Sequence, residues 1–191
     1  GVEPDDPVVI YVGRVAQEKN IPLTVRAFEA FKQKQPRAKL VIVGDGPIRP
    51  TLEKQHPEYI FVGMKRGDDL ARHYASGDLF LFGSTTETFG NVVTEAMCSG
   101  LVVLAYDYAA PRRFIRNWEN GVTVPFDDEN AFVQAAKQLA EVPEQYDAMR
   151  KAARESLEPH SWAHIISRYE SLLEDIAENG RVTREHDLLS P

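Results

Sequence analysis

Short apolar runs recur along the chain at Val8–Val12, Lys39–Val43, 59–62, Leu79–Phe82 and 101–105, with Val122–Val124 as a sixth. Their β-rich composition and compact length read as strands. Between them the apolar positions change period. Leu23, Ala27, Ala30 and Phe31 fall at helical spacing and predict a helix over 23–34. The same reading predicts helices over 68–75, started by Asp68 or Asp69, and over 92–99, 130–140, 145–156 and 162–177. Strands that lack polar alternation and are separated by helices imply a parallel sheet covered on both faces. The fold class expected is therefore α/β, one doubly wound domain over residues 7–158. A break at Glu158-Pro159-His160 precedes a last helical segment over 159–178, and the polar tail over 179–191 is expected to be loose. In that last helix Trp162, Ile165, Ile166, Tyr169, Leu172, Leu173 and Ile176 form a broad apolar stripe.

The chain has 191 residues, enough for one sizeable core, with ordinary hydrophobic (43%) and charged (27%) content. Its 22 basic and 29 acidic residues give a net charge of -7, which argues against nucleic acid as a partner. An anion site would need a local concentration of Arg and Lys. No apolar run approaches the roughly 20 residues of a membrane span, and no signal peptide is visible. The single cysteine, Cys98, rules out an internal disulfide and fits a reducing compartment, so a cytoplasmic location is expected. Cys98 lies among Ala96, Met97 and Ser99, where buried packing is the expected role. The first residue is Gly1 rather than Met, which fits processing or excision from a longer protein.

In doubly wound sheets ligands bind beyond the carboxyl ends of the strands. Each notable loop follows a strand: Gly13-Arg14, Gly44-Asp45-Gly46, Gly63-Met64-Lys65, 83–90 and 106–111. Arg14 offers a planar fork of donors and Lys19 a mobile point charge, a suitable pair for a diphosphate; two solvated surface charges are the alternative. Glu87 and Glu95, eight positions apart, bracket a turn that opens into a helix. That turn aims unpaired N–H groups at an anion, while the two carboxylates accept from hydroxyls. A glycosidase pair and plain capping are the other readings. Gly63-Met64-Lys65-Arg66 offers its backbone to a nucleobase, or is an exposed basic turn. Gly44-Asp45-Gly46-Pro47 reads as a tight turn, and no G-x-G-x-x-G follows the first strand, against a nicotinamide or flavin enzyme. The five histidines show no metal spacing, so no metal site is expected.

Together these segments resemble glycosyltransferase family 4. The resemblance rests on Tyr11-Val12-Gly13-Arg14 with Lys19-Asn20, on Val41 to Pro47, on Glu87 to Glu95 with Ala96-Met97 and Gly100, and on Glu119 to Pro125. It covers about residues 8–175. It implies one half of the GT-B fold, a Rossmann-like donor-binding domain, with residues 1–6 as the end of an interdomain linker and the N-terminal acceptor half missing. It implies a retaining, metal-independent transferase with no cofactor, whose donor is GDP-mannose or a UDP-sugar and whose acceptor is a lipid or glycan. Arg14, Lys19 and Glu87 carry the catalysis it implies. Arg14 and Lys19 hold the diphosphate and Glu87 faces the donor sugar. The backbone of Phe89, Gly90, Asn91 and Val92 surrounds sugar and phosphate, and Glu95 binds ribose. Gly13 and the Gly63-Met64-Lys65 turn complete the nucleotide site. Where many members carry Gly-Gly-x-Pro-Glu, this chain reads Tyr106 to Arg113, with Arg112 replacing the acid. Contact with the inner membrane is expected only through the missing half. A non-catalytic nucleotide-binding module and half of a nucleotide-sugar epimerase are the competing functions. Without its acceptor half, the chain alone is expected to bind nucleotide but transfer no sugar.

Overall fold

The uninterrupted apolar runs become six parallel strands in the computed structural model, which describes residues 2–179. They are β1 (Val8–Val12), β2 (Lys39–Val43), β3 (Ile60–Gly63), β4 (Leu79–Phe82), β5 (Val102–Tyr106) and β6 (Val122–Val124). Their order across the sheet is β3-β2-β1-β4-β5-β6. Successive residues of one strand feed two different cores, which is why polar alternation is missing. Val9 and Tyr11 face the layer of α1 (Ile21–Lys32) and α6 (Glu129–Leu139). Ile10 and Val12 face the layer that includes α3 (Gly67–Ala75), α4 (Asn91–Cys98) and α7 (Tyr146–Leu157). Helix α1 starts after Asn20, which takes a left-handed conformation (φ 49°). Helix α6 is capped by Asp128, whose carboxylate accepts from the Ala131 N–H at 2.9 Å. No helix among the described residues is long and apolar enough to cross a membrane.

The order reverses between β1 and β4, so the loops leaving these two strands border a crevice at the carboxyl edge. Beyond β1, β2 and β3 the backbone stays zipped. Gly13 N–H donates to Val43 C=O at 3.0 Å, Val15 N–H to Asp45 C=O at 2.9 Å, and Gly44 N–H to Gly63 C=O at 2.8 Å. A Cβ at Gly44 would stand 1.8 Å from the Gly13 carbonyl oxygen, and one at Gly46 would stand 2.2 Å from that of Val15. Only hydrogen fits there, and at Gly44 φ is also +139°.

Several expectations need correction. Helix α5 (Ala109–Phe114) was not read from sequence, and α2 (Arg49–Gln55) was expected only as a helix without bounds after the Gly44-Asp45-Gly46-Pro47 turn. Both carry an early proline, Pro50 and Pro111, and short polar stretches with little periodicity. Neither Asp68 nor Asp69 caps α3. Arg66 is its N-cap, without a side-chain hydrogen bond, and the two acids lie in the first turn. Cys98 is exposed rather than buried, because α4 turns Val93, Ala96 and Met97 to the core and Cys98 away from it.

Helix α8 (Trp162–Asn179) leaves its apolar stripe open. Trp162 is 79% exposed, and Ile165, Ile166, Tyr169, Leu173 and Ile176 are also exposed. The part of the tail over 180–191 lies outside the described residues.

Three stability outcomes are expected from this packing. Gly44→Ala should cost at least about 3 kcal/mol, since it adds a backbone clash to left-handed strain. Gly67→Ala, at φ +53° with nothing within 4 Å of the new Cβ, should cost only about 1 kcal/mol. Urea titrations followed by far-ultraviolet circular dichroism give both values, and equal losses would remove the close approach as the cause. Ile166→Glu with Leu173→Glu should change stability by less than about 0.5 kcal/mol in the same assay, as for exposed positions elsewhere.

Candidate functional site

Sequence separates Lys19 and Glu87 by 68 positions, and the fold joins them across the crevice between β1 and β4. Lys19 Nζ lies 2.5 Å from Glu87 Oε1 and also donates to the Thr86 carbonyl at 3.1 Å. Thr86 Oγ1 returns a hydrogen bond to the Glu18 carbonyl at 3.1 Å, so the two loops are stitched in both directions. Both charged side chains are mostly buried, with 21% of Lys19 and 13% of Glu87 exposed. Screening is weak in such a place, and the pair is worth more than a surface ion pair.

The same loop is held from its other side. Tyr108 donates its hydroxyl to the Ser84 carbonyl at 3.0 Å, and Ala110 N–H donates to the Phe89 carbonyl at 2.9 Å. Burial, and then the Glu87 charge, push the Tyr108 phenol up to about 12, so it remains a donor. Below the crevice, buried Tyr11 donates to the Arg14 carbonyl at 2.9 Å. Burial first, then Glu87 and Glu18, raise its pKa as well. Arg14 itself reaches outward, 64% exposed, and pairs with Glu18 at 2.9 Å.

Helix α4 begins directly after this loop. Its N-cap is Gly90, left-handed at φ 92°, and no side chain caps its first turn. Its leading N–H groups therefore face the crevice edge with their partial positive charge. One turn further, Glu95 Oε2 accepts from the hydroxyl of Tyr74 at 2.9 Å.

Two cavities adjoin these groups. One of about 340 Å3 lies over the ends of β1, β2 and β3, lined by Val12, Gly13, Arg14, Val43, Gly44, Asp45, Met64, Lys65 and Leu70. Another of about 700 Å3 lies outside α4 and includes Phe89, Glu95, Phe114, Leu157 and Trp162 in its lining. The structure thus gathers Gly13, Arg14, Met64 and Lys65 round one cavity and joins Lys19 to Glu87 in the crevice. Phe89 and Glu95 border the second cavity. Asn91 and Val92 form the first residues of α4, and Gly63 ends β3. Lys65 is paired with Asp69 at 3.1 Å. Arg112, which stands in place of the acid, turns back to Asp107, donating to its carbonyl at 2.6 Å. Sequence reasoning missed Tyr74 and Tyr108, whose hydroxyls act across the fold, and Tyr11, whose hydroxyl reaches the Arg14 carbonyl three residues on; an aromatic residue carries no mark of such a contact. Among the described residues, no group of three or more His, Cys, Asp or Glu side chains is disposed to hold a metal ion.

Comparison with known proteins agrees with this architecture. The family model for glycosyl transferases group 1 matches residues 1–156. The chain is 37% identical over 166 residues to a sulfoquinovosyl transferase of Arabidopsis thaliana, covering 84% of this chain and 32% of that protein. It is 36% identical over 172 residues to a GDP-mannose-dependent alpha-mannosyltransferase of Mycobacterium tuberculosis, covering 87% of this chain and 43% of that protein. The chain therefore spans less than half the length of these relatives. Among solved structures, a pneumococcal O-GlcNAc transferase superposes with a TM-score of 0.76 at 22% identity, over 92% of this chain and 37% of that one.

The crevice pair makes a direct test possible. A double-mutant cycle over Lys19→Ala and Glu87→Ala should show a coupling of about 1–2 kcal/mol in unfolding free energy. Additive losses would mean that the two side chains do not depend on each other.

Proposed function

The chain belongs to the glycosyl transferases of group 1, and from that premise we propose that it is the nucleotide-sugar-binding half of a retaining glycosyl transferase. The observation that carries the reading is the crevice itself. A cation, a carboxylate and an uncapped helix start meet there, beside a cavity at the ends of β1 to β3. In this reading the base enters that cavity, and Arg14, Lys19 and the start of α4 hold the diphosphate. Glu87 faces the sugar and Glu95 accepts from ribose. We assign the donor as GDP-mannose ahead of a UDP-sugar. The mannosyltransferase relative supports guanine.

Transfer breaks the bond between the anomeric carbon and the β-phosphate oxygen. An acceptor oxygen bonds to the same face of the sugar, and its proton leaves with the phosphate. Negative charge grows on the β-phosphate as that bond breaks, so fixed cations and helix N–H groups lower the barrier electrostatically. The acceptor, a lipid or a glycan, would be held by a second domain, as would any contact with a membrane.

Three outcomes test this. GDP at 100 times its dissociation constant should raise the stability of the chain by about 2.7 kcal/mol, with UDP at equal concentration giving less. A thermal-shift panel in which neither nucleotide acts would reject the reading. Arg14→Ala or Lys19→Ala should weaken GDP by about tenfold or more, through loss of a charge-assisted contact, and weaken guanosine much less. Glu87→Gln should tighten GDP severalfold, because the carboxylate competes with phosphate for Lys19. Calorimetry reads each of these, and weaker GDP binding in Glu87→Gln would refute the competition.

A further inference from the structure

Helix α3 runs between the cavity over β1 to β3 and Glu95, which borders the second cavity. Leu70 lines the cavity over β1 to β3, and Tyr74 follows one turn later on the same helix. Tyr74 is 2% exposed, with its ring edge-on to Phe80 at 6.2 Å. Tyrosines in helices lean back towards the helix N-terminus, here towards the carboxyl edge of the sheet. The hydroxyl of Tyr74 meets Glu95 Oε2 at 2.9 Å.

Glu95 differs from the other acids of the site. Glu18 pairs with Arg14 and Glu87 with Lys19, whereas among the described residues no salt bridge reaches Glu95. A cation would have neutralised the carboxylate and competed with an incoming hydroxyl. A phenol fixes the orientation and leaves the charge in place. Burial, and then the Glu95 charge, hold the Tyr74 phenol above its ordinary value, so it donates throughout the working range. Its own rotamer is set by the core, because the ring is enclosed in the cluster that holds Phe80 and Met97.

We propose that Tyr74 is the positioning residue for ribose recognition, locking one oxygen of Glu95 so that the other is presented to a ribose hydroxyl. The inference rests on the donor-site reading above. It makes ribonucleotide selectivity a property of α3 acting through α4, rather than of the phosphate loops.

The test is calorimetry with GDP and UDP, each against its 2′,3′-dideoxy counterpart. The proteins are wild type, Tyr74→Phe, Glu95→Gln and the double variant. Wild type should prefer the ribose form by about tenfold, the scale of one hydrogen bond to a charged group. Tyr74→Phe should lose most of that preference and bind the dideoxy forms as wild type does. In the Glu95→Gln background, Tyr74→Phe should have no further effect on the preference, since the two act as one unit. A full preference retained in Tyr74→Phe overturns the proposal and leaves the donor-site reading intact. Equal weakening of ribose and dideoxy forms also overturns it, showing a structural role. A wild type that binds neither nucleotide removes the donor-site reading and this inference together.

Discussion

The candidate site depends on two places where backbone touches backbone. Gly44 lies against the Gly13 carbonyl and Gly46 against that of Val15, at distances that leave no space for a Cβ. Through these approaches the loops after β1 and β2 become one continuous wall, and the Gly44 hydrogen bond to Gly63 adds the third strand end. Loops are usually the mobile part of a fold. Here three of them are hydrogen-bonded to one another at the carboxyl edge of the sheet and together wall the cavity over β1 to β3.

The crevice is organised by a different principle. The loop bearing Glu87 is gripped by Lys19 and the Glu18 carbonyl on one side, and by Tyr108 and Ala110 on the other. A carboxylate so largely enclosed would be costly without its lysine, and the lysine without its carboxylate. Mutual neutralisation lets an acidic chain keep a cation at its strand ends without exposing it.

Much of the sheet was legible because each buried strand serves two cores and so reads as an unbroken apolar run, as Val8–Val12 and Leu79–Phe82 do. The site loops were legible because glycine and charge cluster where such runs end. Helix α5 was not, since Ala109-Ala110-Pro111-Arg112-Arg113-Phe114 is too short for a period and carries a proline. Its start also needs Ala109 at φ 52°, a conformation that alanine does not advertise. Cys98 was misread because its neighbours in sequence are apolar while its helix face is not the buried one. The contacts of Tyr74 and Tyr108 were invisible for a more general reason: a phenol's partner there is chosen by tertiary packing, and nothing local encodes it.

The two tryptophans of the chain differ: Trp162, at the head of the open helix α8, is 79% exposed and Trp118 38%. The Trp162 indole already senses in the native state much of the solvent that an unfolded chain would offer it. Its emission should therefore shift little when the core opens. The phenols are the better optical witnesses, because Tyr11, Tyr59, Tyr74, Tyr106 and Tyr146 are enclosed at or near the two faces of the sheet. Near-ultraviolet dichroism in the tyrosine band would report on the interior of this domain, and indole fluorescence on its outer helix.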